Sequence, residues 1–309
     1  MTGMALLLAL VMAFFIPGII GAVKAKSCGR KAPSLIQPMF DIFRLLKKGS
    51  VYSTSTSFIF QITPIVYFIT IFLALFFLPF GAEKGIFGFT SDFIFLAYLL
   101  AIGKFFMILA AIDTASPFEG MGANREAFYS MLIEPAFFTI MGSLALVAQP
   151  PSLSSLYANA GAISETPYLS WMIIAFIIYI LFNIALVENS RLPVDDPKTH
   201  LELTMVHEVM VLDNSGFDLG IIQAANALKF ALYGGLIANF FISPEFNLIT
   251  NAGIFLGLGV LFAVAIGLSE SFRARNKMKK NSLYIVLMFS LAVLLFFLIL
   301  AMNSKFILT

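Results

Sequence analysis

The 309-residue sequence is poor in the residues that carry metal and redox chemistry. It has one cysteine, Cys28, and two histidines, His200 and His207. A lone thiol excludes an internal disulfide, a cysteine-ligated iron–sulfur cluster and a Cys-rich zinc site. Any redox centre that works with this chain is therefore expected on a partner. His207-Glu208 has no second histidine four positions on, so the spacing of zinc proteases is missing. The run Gly120-Met121-Gly122-Ala123-Asn124-Arg125 lacks both the third glycine and the preceding strand of a dinucleotide-binding loop. Charge is scarce as well: Asp, Glu, Lys and Arg make up 12% of the residues, against about 25% in a soluble domain. So little charge cannot clothe a water-facing surface. No inverted internal repeat of the transporter kind is evident.

What fills the chain is apolar side chains, 60% of the total and including 35 phenylalanines. Mean hydropathy is +0.95. Runs long enough to span a bilayer as helices, about 20 residues, occur at 3–23, 57–79, 92–112, 128–148, 168–187, 218–242, 248–269 and 282–302. The first run has its positive charges after it and not before it, unlike a signal peptide. These runs predict an all-α polytopic membrane protein with about eight transmembrane helices. It is read as a single integral membrane domain over 1–309, with loops at about 24–56, 113–127, 188–217 and 270–281.

The loops alternate in charge. Lys24, Lys26, Arg30, Lys31, Arg44, Lys47 and Lys48 follow the first run, and Arg125 the third. Arg191 and Lys198 follow the fifth; Arg273, Arg275, Lys277, Lys279 and Lys280 follow the seventh. The opposite side has only Lys84 and Lys305. Positive charge marks the cytoplasmic side, so a multi-pass protein of the cytoplasmic membrane with both termini outside is expected. Residues 36–48 place Ile42, Leu45 and Leu46 at helical spacing with a basic end, as in an interfacial amphipathic helix. Asp196-Pro197 suits a helix start, and 199–212 should continue that helix to Asn214-Ser215-Gly216. The outer loops look short or bland. Gly253 and Gly257 have the spacing of a helix-packing surface.

Ionisable groups inside spans are costly, about 2.5–3.5 kcal/mol each on insertion scales, and therefore mark function by default. Lys104 and Lys229 fall near mid-span, and Glu134 lies about two turns into the fourth span. Glu188 and Glu270 end the fifth and seventh. Structural ion pairing or snorkelling is the plain reading of the lysines, and an ordinary interfacial charge that of the two terminal glutamates. Asp113, Glu119, Glu126, Asp195, Asp196, Glu202, Glu208 and Asp213 gather on the basic side. They are either a buried proton-passing chain of carboxylates or a solvated loop face, and spacing alone leaves both open.

The stretch Glu188-Asn189-Ser190-Arg191-Leu192-Pro193-Val194-Asp195-Asp196-Pro197-Lys198-Thr199-His200-Leu201-Glu202-Leu203 resembles the signature loop of the respiratory complex I membrane subunit that docks the peripheral arm. Arg125 followed by Glu134, and Gln37-Pro38 followed by Asp41 and Lys47, are similar to that family too, and the resemblance covers essentially the whole chain. Lys198 and His200 stand where the complex I loop has acids. Together with Asp113-Thr114-Ala115-Ser116-Pro117-Phe118 and Thr204-Met205-Val206-His207-Glu208, they resemble the version in group 4 NiFe hydrogenases of the formate hydrogenlyase and hydrogenase-4 type.

The resemblance implies a membrane anchor and energy-coupling subunit, not a catalyst on its own. It would join hydrogenase-like large and small subunits to antiporter-like pumping subunits in a hetero-oligomer. The NiFe centre and iron–sulfur clusters would sit on those partners, with no cofactor or metal in this chain and no nucleic acid. It implies a proton path or coupling role for Glu134, Glu188, Asp195 and Glu202, to which the cost of charge in spans adds Lys104 and Lys229 as candidates, and the acidic cluster adds Asp113, Glu119 and Glu208. Docking and structural roles fall to Arg191, Arg125, Gln37, Asp41 and Pro193, with Arg191 holding the loop carboxylates. A quinone-site subunit of a complex I-like dehydrogenase is the alternative, against which Lys198 and His200 speak. A self-sufficient transporter is a third reading, and it would need repeats that are not evident.

Overall fold

The computed structural model describes residues 3–163, 166–196 and 205–307, with side chains placed for all of these except 162 and 303–307. Helices account for nearly all regular structure: α1 (Met4–Ser27), α2 (Gln37–Leu46), α3 (Phe58–Phe76), α4 (Asp92–Asp113), α5 (Pro117–Ala145), α6 (Leu153–Ala158), α7 (Pro167–Glu188), α8 (His207–Met210), α9 (Gly216–Ala238), α10 (Leu248–Phe272) and α11 (Met278–Ile307). Among the described residues, eight helices are long and apolar enough to cross a membrane: α1, α3, α4, α5, α7, α9, α10 and α11. All eight overlap the apolar runs of the sequence.

Three expectations are corrected. The fourth span begins at Pro117, not at residue 128, so most of the 113–127 loop is helix. Hydropathy sees only the apolar part of a helix, whereas Ser116-Pro117 starts this one as N-cap and first-turn proline. At 29 residues it is about 44 Å long, more than the ~30 Å of hydrocarbon requires. The helix expected over 199–212 reduces, among the described residues, to the four of α8; residues 197–204 lie outside the description. Nor is the outer loop after α5 bland. It carries α6, whose Ser152 and Ser155 form a capping box, and buried Asp92 accepts from the Leu153 N–H at 2.6 Å.

Four other spans, α1, α3, α7 and α10, pack against α9. In its membrane window 78% of residues are buried, against 33% for α10 and 28% for α11. The last two expose large apolar side chains such as Leu261 and Phe297, the expected surface for lipid or a neighbouring apolar subunit. The amphipathic α2 packs on α9: Ile42 is buried, while Phe40 and Phe43 face outward. Gly253 and Gly257 do not pack within this chain, because a Cβ at either would meet nothing within 4 Å. Gly259 and Gly267 of α10 are the close contacts to α1 instead. The spacing rule identifies small residues but cannot say which helix face turns inward.

Gly18 in α1 is required by the segment folded back over it, since a Cβ there would lie 1.8 Å from the Leu35 carbonyl oxygen. Gly18→Val should therefore destabilise the purified protein by about 1–3 kcal/mol in thermal unfolding. Gly253→Val should change it by less than about 0.5 kcal/mol.

Candidate functional site

Four helices meet at a buried cluster of opposite charges. Lys104 of α4 places Nζ 2.5 Å from Glu188 Oε1 at the end of α7, and 3.6 Å from Glu126 Oε1 of α5. Lys229 of α9 places Nζ 2.8 Å from Glu188 Oε2. All four residues are buried. Burying unpaired charges is prohibitive, so the lysines and carboxylates must hold one another. The plain reading of the lysines as ion-pair partners is the right one. That of Glu188 as an ordinary interfacial charge is not. Lys229 Nζ also donates to the Glu188 carbonyl oxygen at 2.7 Å. This satisfies a helix-end acceptor and places a cation at the negative end of α7.

Glu134 faces the same cluster without joining it. It lines a narrow void with Lys104, Glu188 and Tyr233. It is half-buried, and among the described residues no ion-pair partner approaches it. A second small void lies beside the cluster, lined by Tyr67, Lys104, Glu126, Glu188, His207 and Lys229. Lys104 and Glu188 border both voids, so the ion pair stands between them.

The loop leaving α7 turns sharply. Ser190 adopts φ 51°, its N–H reaches the Val187 carbonyl, and the Arg191 N–H reaches that of Leu186. This is a Schellman closure with serine where glycine is usual. It brings Arg191 back over the Phe230 ring at 4.7 Å and to Glu270 Oε1 at 3.2 Å. Lys24 of α1 holds the other Glu270 oxygen at 2.7 Å. The next residues are clamped by the α10–α11 connection and the first turn of α11. Arg275 reaches Asp195 at 2.8 Å, the Asn276 N–H the Pro193 carbonyl at 2.9 Å, and Asn281 the Val194 carbonyl at 2.9 Å. Asp195 also accepts from the backbone N–H groups of Val206 and His207 at 3.2 and 3.1 Å. Burial outweighs these donors and pushes its carboxyl above the usual range.

A much larger cavity of about 660 Å³ opens on the basic face between α1, α2 and α9. Lys24, Arg44, Lys48, Arg191, Glu208 and Asn226 line it beside Ile20, Ile42 and Phe230. Asn226 connects it to the interior. Tyr67 donates its hydroxyl to Asn226 Oδ1 at 2.7 Å, and Asn226 Nδ2 lies 3.3 Å from His207 Nε2. The amide nitrogen has only hydrogens to give, so Nε2 accepts and the His207 proton sits on Nδ1. Burial, then the Lys229 ammonium, hold this imidazole down at about 4. The unfolded chain therefore binds the proton more tightly. Folded stability is full above the ordinary histidine value of 6.5 and falls as pH drops towards 4. Thermal unfolding should show this as a loss of about 3 kcal/mol across that window, largely absent in His207→Gln.

A family profile described as NADH dehydrogenase matches residues 1–306. The chain belongs to that family. Among curated members, hydrogenase-4 component C of Escherichia coli (strain K12) is 27% identical over 84% of this chain and 82% of its own length. Formate hydrogenlyase subunit 4 of the same organism is 28% identical over 84% of this chain and 85% of its own. A subunit of the NADH-quinone oxidoreductase of Bordetella pertussis (strain Tohama I) is 27% identical over 57% of this chain and 51% of its own. A chain in the structure of the membrane-bound sulfane sulfur reductase, an archaeal respiratory membrane complex, shares the fold. Its TM-score is 0.76, covering 95% of this chain and 98% of that one at 18% identity.

Within this NADH dehydrogenase family member, the residues expected to form one polar axis separate into groups. Lys104, Lys229 and Glu188 form the cluster, and Glu134 adjoins it. Asp113 and Glu119 do not belong to it. Asp113 accepts from the Ser57 N–H at the start of α3 at 2.7 Å, and Glu119 from the Asp213 N–H at 3.0 Å. Both fasten turns. Arg191 binds Glu270, whereas the resemblance implied that it held Glu188, Asp195 and Glu202; Arg275 takes Asp195 instead. Glu202 lies outside the described residues. Gln37 donates to Asp41 at 2.9 Å on the rim of the large cavity, and Arg125 donates to the Met205 carbonyl at 2.9 Å. Glu208 lines the large cavity. Sequence reasoning assigned no site role to Lys24, Asn226 or Arg275, and it left Glu126 and Glu270 open between a functional role and an ordinary interfacial or loop charge. Lys24 and Arg275 were hidden among many loop cations, and Asn226 carries no signal that distinguishes it from other span asparagines. Among the described residues no group of three or more His, Cys, Asp and Glu side chains is placed to hold a metal ion.

Proposed function

We propose that this chain is the membrane anchor and energy-coupling subunit of a respiratory complex of the hydrogenase-4 and formate hydrogenlyase kind. It docks a hydrogenase-like redox module, which carries the NiFe and iron–sulfur centres, on the cytoplasmic face and joins it to antiporter-like pumping subunits. The observation that carries this reading is the covalent continuity of the cluster with the basic-face loop. Glu188, gripped by Lys104 and Lys229, is three residues from Arg191, fixed to Glu270 of α10, and seven from Asp195, fixed to Arg275 in the α10–α11 connection. A shift of charge or position at the face is transmitted to carboxylates deep among the spans, where low dielectric makes small displacements costly. Bistable ion pairing is then the means by which redox work reaches neighbouring subunits. Two curated relatives that match 84% of this chain are hydrogenase-4 and formate hydrogenlyase components, against 57% for the NADH-quinone oxidoreductase subunit, which favours hydrogen over quinone chemistry.

The large cavity favours a second reading, a quinone-site subunit, since it combines an apolar wall with a charged rim. One experiment separates the two. The complex is purified in mild detergent through a tag on this chain, and its metals, lipophilic contents and subunits are analysed. Nickel, iron and hydrogen evolution support the hydrogenase reading. Iron without nickel, with bound quinone, supports the second. A lone monodisperse chain in every detergent overturns both.

A further inference from the structure

The cluster needs a route to water, and Asn226 ties the large cavity to it. The spaces stand in series. The cavity on the basic face is lined by Asn226; Asn226 is hydrogen-bonded to Tyr67 and His207; those two line the inner void with Lys104, Glu126, Glu188 and Lys229. Beyond the Lys104–Glu188 pair is the void that Glu134 lines. We infer that His207 is the proton port of this subunit, passing protons between the interfacial cavity and the buried carboxylates with the Asn226 amide as its gate. The inference rests on the coupling role proposed above and adds a point of entry to it.

The chemistry follows from the hydrogen bonds. In the neutral ring Nε2 is occupied by the Asn226 N–H, so no proton can land there. If the Asn226 amide turns over, Oδ1 faces the ring and accepts from a newly protonated Nε2, while Nδ2 donates to the Tyr67 oxygen. A proton taken from cavity water at Nε2 is balanced by release of the Nδ1 proton to a carboxylate of the inner void, and the imidazole returns to neutral. The groups facing the ring poise it: Lys104 from α4, Glu126 from α5, Glu188 from α7, Lys229 and Asn226 from α9, Tyr67 from α3, with Asp195 and Arg191 from the loop. Burial, then the cations Lys229, Lys104 and Arg191, keep the ring neutral at rest, so it passes a proton without storing one. His207 is carried on the segment whose backbone Asp195 fixes, so loop movement opens or misaligns the port.

The test uses the whole complex in sealed vesicles, reading ions moved per redox turnover together with dye-linked turnover. His207→Ala should lower ions moved per turnover by on the order of 10²-fold at unchanged dye turnover, and added imidazole, admitted by the cavity, should restore at least about half. Undiminished coupling, or a loss that imidazole leaves unchanged, overturns the port. If His207→Ala does not assemble, His207→Gln is read instead. It keeps an acceptor for Asn226 but cannot be protonated, so a coupled His207→Gln complex overturns the port and an uncoupled one supports it. Glu134→Gln is run alongside. An uncoupled Glu134→Gln with a fully coupled His207 variant sinks only the port, whereas full coupling in both sinks the coupling reading with it.

Discussion

Glu134→Gln is expected to stop ion pumping by the assembled complex while dye-linked redox turnover stays within about twofold of wild type. Glutamine keeps the shape and hydrogen-bonding capacity of the side chain and loses only the ability to take up a proton. Glu134 has no ion-pair partner among the described residues, but it borders the same void as Lys104 and Glu188. Its charge state is therefore free to answer to theirs across a low-dielectric space. Loss of a proton-transfer group costs on the order of 10²–10⁴-fold in the step it serves, so ion movement per turnover should fall to background. The measurement is membrane-potential formation in vesicles beside dye reduction in the same preparation. A parallel fall in both rates would mean that Glu134 supports the architecture and not the coupling.

Glu188→Leu should have the largest effect on stability of any single change in the cluster. It leaves Lys229 without its carboxylate and Lys104 with Glu126 alone, at 3.6 Å. Breaking a buried pair by removing one partner costs about 3–5 kcal/mol, because an uncompensated charge stays behind. The variant should accumulate poorly and unfold at lower temperature. Combining it with Lys104→Met, Lys229→Met and Glu126→Leu removes every charge of the cluster, and apolar replacement of a complete buried ion cluster is often neutral. The quadruple variant should therefore recover most of the stability and the assembly, but none of the ion pumping. A quadruple variant that pumps would show the ion pairs to be structural only.

Much of the fold is legible in the sequence. A bilayer sets a minimum length for an apolar run, and length is a one-dimensional property. The eight spans are therefore legible, and the largest shift of an edge is at Pro117, where a helix continues past the hydrocarbon. The cost of burying charge likewise singled out Lys104, Lys229 and Glu134 without a structure. The amphipathic α2 was readable from the spacing of Ile42, Leu45 and Leu46. Pattern failed where several residues offered the same signal. Nothing in the loop cations marks Lys24 or Arg275 above Lys26 or Arg273, and the spacing of Gly253 and Gly257 matches a packing motif that this chain does not use.

The sequence by itself determined how many times the chain crosses the membrane, which face is basic and which charges are too expensive to be idle. Only the tertiary structure decided which of those charges hold one another. Lys104 and Glu188 are 84 positions apart, Arg191 and Glu270 are 79, and Arg275 and Asp195 are 80. Contacts of this kind depend on the rotation and depth of each helix against its neighbours. Those are set by close packing of whole surfaces around α9, not by any spacing along the chain.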